Sequence, residues 1–408
     1  MPNPGPDRSN KNPTDLTASH LVCYTGTEQP PTESRKTPMR TLTTITGTQY
    51  GSEGKGHATD QTIRQALQNG QQVISVRVGG PNAGHCVIDP DTSHKYALRT
   101  VPVGAIHDVD CYLAPGSEID LTVLENEINE LHNNNRQIKL TIDNQATLLT
   151  KTHIQEEKNS DLTARTGSTA SGVGAARAAR LWRKAFNFHQ AIKNPHTRQA
   201  IERLNLIAEQ NGGWVKVHNP EPQQPTYWEQ QTNQNLHVIV EGTQGYWLGL
   251  HAGHYPQSTS NNARPIDFLA MAGLNPWEWD FQPIGVTRTN PIRVAGNSGP
   301  LPGETDWDQL GQDTEYTTVT KKQRRVGSWD AQATKLALKR SGITRNILTM
   351  ADKVIPQIHG MQGPITNKQL QNIPELWELI TKTEQDTGTT IWMVTTSENT
   401  ALILSEAN

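Results

Sequence analysis

The chain has 408 residues, a formal net charge of −3 and 34% hydrophobic residues. That balance disfavours a nucleic-acid-coating surface, and no apolar run reaches the length needed to span a membrane. Cys23, Cys86 and Cys111 are too scattered for a metal cluster or a disulfide framework and suit a reducing cytoplasm. Residues 1–38 are rich in Pro, Asn, Thr and charged side chains without the apolar segment of a secretory signal. They read as a flexible tail, with Met39 an alternative start. The pattern over 39–408 alternates strands and helices, which predicts one α/β domain with a largely parallel sheet and flanking helices.

In chain order, the first strand is predicted where Leu42, Thr44 and Thr46 alternate with Thr43 and Ile45. Ile63 and Leu67 mark one face of the helix that follows, which Gly70 stops. The run Val73 to Val78 supplies the next strand. Between strand and helix lies Gly47-Thr48-Gln49-Tyr50-Gly51-Ser52-Glu53-Gly54-Lys55-Gly56-His57. Such a loop can turn backbone N–H groups and a helix N-terminus toward a phosphate, with Lys55 as a mobile charge. The alternative is a structural turn, since the spacing is not that of a Walker A loop. Further on, Leu121, Leu124, Ile128 and Leu131 outline a core-facing helix, and the polar stretch 186–235, with Pro220, Pro222 and Pro225, is expected to contain a surface insertion or lid. His237 to Val240 is a buried strand expected to end in a turn at Glu241-Gly242, and Ile347 to Met350 is another ending near Asp352. Ligands bind at the carboxyl ends of such strands.

Several collinear segments together resemble the adenylosuccinate synthetase family. They are the loop above, Gly79-Gly80-Pro81-Asn82-Ala83-Gly84-His85, Val240-Glu241-Gly242-Thr243-Gln244-Gly245 with Gly253 to Pro256, Ser258 to Asn262, Glu315 to Gly327, and Leu348-Thr349-Met350-Ala351-Asp352. The resemblance implies a ligase acting in two steps: purine O6 attacks the γ-phosphate of a nucleoside triphosphate, then the amine of aspartate displaces the 6-phosphate. It also implies Mg²⁺, small-molecule substrates and a homodimer, with no nucleic acid or membrane partner. Where ordinary members carry an aspartate in the first loop, this chain has Ser52. That change resembles the phage-type branch acting on dGMP, because a hydroxyl leaves more room than a carboxylate beside the guanine 2-amino group. The readings kept open are an ordinary IMP and GTP enzyme and a non-catalytic nucleotide sensor.

The same resemblance assigns candidate roles. Ser52, Lys55 and His85 are the catalytic candidates, and Ser52 with the Gly84 carbonyl the Mg²⁺ ligands. The triphosphate falls to Ser52, Glu53, Gly54, Lys55, Gly56, Gly84 and His85, with Asp352 and Thr396 at its base. The dGMP candidates are Ser52, Asn82, Ser168, Thr169, Gln244, Thr259 and, from a second subunit, Arg183. Val294, Val319, Thr320, Lys322 and Arg324 are expected to hold L-aspartate, Arg324 through a paired guanidinium–carboxylate contact. Met350 and Thr396 depart from the family's base-reading segments, which points to ATP or dATP as donor.

Overall fold

The structure, a computed structural model, describes residues 40–317 and 322–404. The tail expected over 1–38 and the candidates Val319 and Thr320 lie outside them. The first strand, β1 (Thr41–Gly47), turns alternate residues to opposite faces. Leu42 packs with Val238, Val240 and Phe268 on one side, and Ile45 with Ala58, Ile63 and Ile239 on the other. The chain then enters α1 (Lys55–Gln68) and returns as β2 (Gln72–Arg77).

Eleven strands form the central sheet. Its order is Gly363–Ile365, Ala401–Leu404, Thr390–Thr395, Arg345–Thr349, Asp280–Arg288, β1, Leu236–Gly245, β2, Asp110–Leu113, Lys139–Asp143 and Trp214–His218. All neighbours are parallel except Thr390–Thr395 with Ala401–Leu404. A parallel sheet needs cover on both faces, and the two apolar layers supply it. The carboxyl ends of Arg345–Thr349, Asp280–Arg288, β1 and Leu236–Gly245 lie side by side at the sheet's centre, so the loops leaving them meet.

One expectation needs correction. The strand beginning near His237 does not turn at Glu241-Gly242 but continues to Gly245. A Cβ on Gly242 would stand 2.7 Å from the Ile45 carbonyl and 2.8 Å from the Phe268 ring, so this glycine permits close strand contact. Within 186–235, helix Pro195–Gln210 and Trp214–His218, one of the sheet's two edge strands, belong to the fold proper, while 219–235 is mostly exposed irregular chain. Even Trp228 beyond the prolines is buried, its indole N–H donating to the Ala272 carbonyl at 2.8 Å. Helix α1 ends at Gln68, before Gly70 as expected, with Ile63 buried and Leu67, one turn further on, 38% exposed. Helix Leu121–Asn133 behaves as expected: Leu124, Ile128 and Leu131 are fully buried, and Asp120 caps its start by accepting from Thr122 N–H at 2.9 Å.

Candidate active site

Glu53 builds the first loop from inside. Its fully buried carboxylate accepts from the N–H groups of Gln49 (3.1 Å) and Gly51 (2.8 Å) and pairs with Lys55 Nζ at 2.6 Å. Lys55 is therefore not mobile here, contrary to expectation, but held against the helix start. Gly54, at φ 88°, turns the chain through the left-handed region into α1. A Cβ on Gly56 would lie 2.8 Å from the Cβ of His85, so the bare backbone lets His85 approach the helix end. Thr349 Oγ1 donates to the Glu53 carbonyl at 2.7 Å, tying the loop to the neighbouring strand.

Ser52 points the other way. It is exposed, at φ 58°, and its carbonyl accepts from Arg288 Nη1 at 3.3 Å. The Arg288 guanidinium is 1% exposed and pairs with Glu315 at 2.6 Å, so one part-buried ion pair joins the first loop to the base of the 315–325 segment.

His85 stands on the short strand His85–Ile88. Its Nδ1 is 3.0 Å from Glu241 Oε2. Register places Arg77 of β2 opposite Glu241, and Arg77 Nη1 reaches the same oxygen at 3.2 Å. The other Glu241 oxygen accepts from Val103 N–H (2.5 Å) and Ser75 Oγ (3.1 Å). A carboxylate only accepts, so the Glu241 contact asks for a proton on Nδ1, whereas Arg77 Nη1, 3.0 Å from the same nitrogen, only donates and asks for the other tautomer; Nε2 is buried and has no partner among the described residues. Burial, with the nearby Arg77 charge, pushes the imidazole down to about 4 against the pull of Glu241. Burial would raise Glu241, but the His85 hydrogen bond and charge, Arg77 and Val103 N–H hold it below the usual carboxylate range. Arg77 also shapes the 79–84 turn, donating to the Ala83 (2.6 Å) and Arg99 (3.0 Å) carbonyls. Neither Arg77 nor Glu241 was singled out from the sequence. The available signal was a charged residue inside each buried strand run, since such a residue needs a partner.

These buried histidines have a consequence for stability. Burial pushes His57, His85 and His237 down to about 4, so between pH 4 and the ordinary value of 6.5 the unfolded chain binds more protons than the native one. Stability from these groups is complete above about pH 6.5 and is lost as pH falls toward 4. Each contributes a slope of about 1.4 kcal/mol per pH unit. Urea unfolding at pH 7.5 and pH 5 should show a lower midpoint at pH 5, and His237→Gln should flatten the difference. An equal midpoint at both pH values would contradict the assignment.

The loops enclose one cleft of about 1180 Å³, larger than a single small ligand ordinarily fills. Ser52, Gly54, Lys55, Gly56, Gly84 and His85 line it, as does Asp352. So do the dGMP candidates Asn82, Ser168, Thr169, Gln244 and Thr259, and Val294, Lys322 and Arg324. Arg324 donates its backbone N–H to the Glu315 carbonyl (2.8 Å) and its Nε–H to the Tyr316 carbonyl (3.2 Å). No described protein group accepts from its two terminal nitrogens. Three candidates lie off the lining. Glu53 sits beneath the loop. Thr396 is buried, donating to the Met361 carbonyl at 2.5 Å, while its neighbours Thr395 and Ser397 face the cleft. Arg183 is exposed and folded back on the Leu181 carbonyl at 2.8 Å. Among the described residues, no group of three His, Cys, Asp or Glu is placed to hold a metal.

Comparison with known proteins places the fold and the family. The adenylosuccinate synthetase family model matches residues 44–223 and 216–387. The adenylosuccinate synthetase of Methanococcus aeolicus is 33% identical over 353 residues, covering 83% of this chain and 94% of that protein. That of Methanocaldococcus jannaschii is 30% identical, covering 89% and 96%. Among solved structures, the succinoaminodeoxyadenylate synthetase of cyanophage S-2L, bound to dGMP and dATP as an energy donor, superposes with a TM-score of 0.69 at 25% identity, covering 90% of this chain and 95% of that one. The fully ligated Plasmodium falciparum adenylosuccinate synthetase shares the fold, with a TM-score of 0.65 at 19% identity, covering 88% and 99%. Matched by the family model over most of its length and by relatives at 30% identity or more, the chain belongs to the adenylosuccinate synthetase family and is a carbon–nitrogen ligase.

Proposed function

We propose that this ligase joins dGMP to L-aspartate, using ATP or dATP, to form N6-succino-2-amino-2'-deoxyadenylate. The observation that carries the reading is Ser52, a hydroxyl exposed to the cleft where ordinary members carry a carboxylate, in a loop otherwise built for phosphate. The likeness to a phage synthetase bound to dGMP and dATP supports it.

In the first step dGMP O6 attacks the γ-phosphorus and the diphosphate leaves; in the second the aspartate amine attacks C6 and phosphate leaves. Phosphoryl transfer asks for positioning and charge stabilisation more than covalent help. The α1 amides and Lys55 supply these at the triphosphate. A polyphosphate beside His85 Nε2 opposes the Arg77 charge and favours the imidazolium, whose Nε2–H then donates to the transferring oxygens. The N1 proton must leave for O6 to become nucleophilic. Glu53 is enclosed and paired, so the route runs through the Ser52 hydroxyl or a water it holds.

The exposed Ser52 hydroxyl and Gly84 carbonyl are neutral oxygens suited to Mg²⁺, which takes several waters and the substrate's phosphates as its other ligands. When bound, such an ion neutralises charge on the transferring phosphoryl group. Leu181 (75% exposed), Trp182 (74%) and Phe186 (56%) form an apolar surface beside Arg180 and Arg183. We read it as a homodimer face from which Arg183 reaches the partner's dGMP phosphate. Trp182→Glu is expected to shift sedimentation toward the monomer, and an unchanged dimer would remove that face. No helix among the described residues is long and apolar enough to cross a membrane.

The curated relatives named adenylosuccinate synthetase favour a second reading, IMP with GTP. The deciding experiment crosses dGMP, GMP and IMP with ATP, dATP and GTP, measuring phosphate and succinylated product. Succinylated product from dGMP with ATP or dATP is expected, and faster turnover of IMP with GTP would overturn the proposal. In the same panel Ser52→Asp should weaken dGMP use and keep or gain IMP use. Unchanged dGMP turnover in that variant would refute the steric account of Ser52.

A further inference from the structure

Asp352 follows the strand Arg345–Thr349, within the short helix Ala351–Lys353, and is 7% exposed in the cleft lining. Its Oδ2 lies 3.1 Å from Nδ1 of His359, which also lines the cleft. The carboxylate only accepts, so His359 donates and one face of the Asp352 carboxylate is taken before any ligand arrives. Guanine presents two adjacent donors, N1–H and the 2-amino group, which match both oxygens of an unengaged carboxylate. Adenine presents a single amino donor beside the N1 acceptor, which needs one oxygen only.

A second observation concerns the same pocket. His57, in the first turn of α1, is 8% exposed and lines the cleft, with its Nε2 lacking a partner among the described residues. It lies close enough to Asp352 for the carboxylate's charge to act on it. A neutral imidazole with an unused nitrogen can serve an acceptor on the base, and the adenine ring offers such nitrogens next to its amino group.

We propose that His359 is a specificity-determining residue for the phosphate donor: by occupying Oδ2 of Asp352 it favours adenine nucleotides and disfavours guanine nucleotides. This rests on the reading that Asp352 faces the base of the donor.

The test measures calorimetric binding of the β,γ-imido analogues of ATP and GTP, with Mg²⁺, to wild type, His359→Ala and His359→Asn, beside kcat and KM for ATP and GTP at saturating dGMP and aspartate. Wild type should bind the adenine analogue more tightly. His359→Ala should narrow the preference by about tenfold or more, the scale of one hydrogen bond to a charged group. His359→Asn, which keeps an N–H donor, should retain most of it. The change should appear in donor affinity and KM, with the KM for dGMP and aspartate unmoved. Because His359 is 66% exposed, the variants are expected to fold. A preference in His359→Ala within about twofold of wild type, a resolution calorimetry affords, would overturn the proposal, as would a wild type preferring the guanine analogue. The two readings fail separately: a wild type that ligates IMP and not dGMP removes the acceptor assignment, while the binding ratio still decides the role of His359.

Discussion

His85→Ala is expected to lower kcat for dGMP ligation by about two to four decades, the usual contribution of a positioned acid–base group, while binding of dGMP and of a non-hydrolysable triphosphate changes little. The expectation comes from the way the side chain is held. Glu241 and Arg77 both meet Nδ1 at 3.0 Å, Arg77 and Val103 N–H fix Glu241, and Nε2 has no partner among the described residues. Glu241→Gln separates orientation from charge. The amide retains the shape but weakens the preference for a proton on Nδ1, so its loss of kcat should be smaller than that of His85→Ala, and the acid limb of the pH profile should move. Equal loss of kcat and of nucleotide binding in His85→Ala, with a lowered melting temperature, would mean that the residue holds the 79–85 turn and takes no part in the transfer.

The glycine-rich loop was legible because its chemistry is local: glycines, a lysine and a helix start follow one another within eleven residues, Gly47 to His57. The division of labour within it was not. Ser52 and Glu53 are adjacent, yet one faces the cleft and the other is enclosed, because Ser52 takes a left-handed conformation that turns the next side chain inward. The same holds at the donor end, where Thr395 and Ser397 face the cleft and Thr396 does not, as alternation along an extended segment requires. Long-range pairs were out of reach for another reason. Arg77 and Glu241 are 164 residues apart and meet only because β2 lies beside Leu236–Gly245 in a defined register. Arg288 and Glu315 likewise join segments whose proximity depends on strand order.

Arg324→Ala should impair aspartate use far more than binding of either nucleotide. The backbone N–H and Nε of Arg324 are engaged within the 315–325 segment, whereas the residue lines the cleft and its two terminal nitrogens have no described protein acceptor. Burial, opposed by Glu315 and reinforced by Arg288, lowers its pKa, so a half-buried cation stands beside the cleft. A carboxylate brought by the substrate answers that cost through paired charge-assisted hydrogen bonds. Losing such a contact costs about 1.5–3 kcal/mol, or roughly one to two decades in the apparent KM for aspartate. Arg324→Lys retains the charge without the planar fork, so most of the penalty should remain. The measurement sets the KM for aspartate in both variants beside calorimetric binding of dGMP. If dGMP binding fell as far as aspartate use, Arg324 would be a nucleotide contact or a support for the Glu315 loop, and the aspartate assignment would be withdrawn.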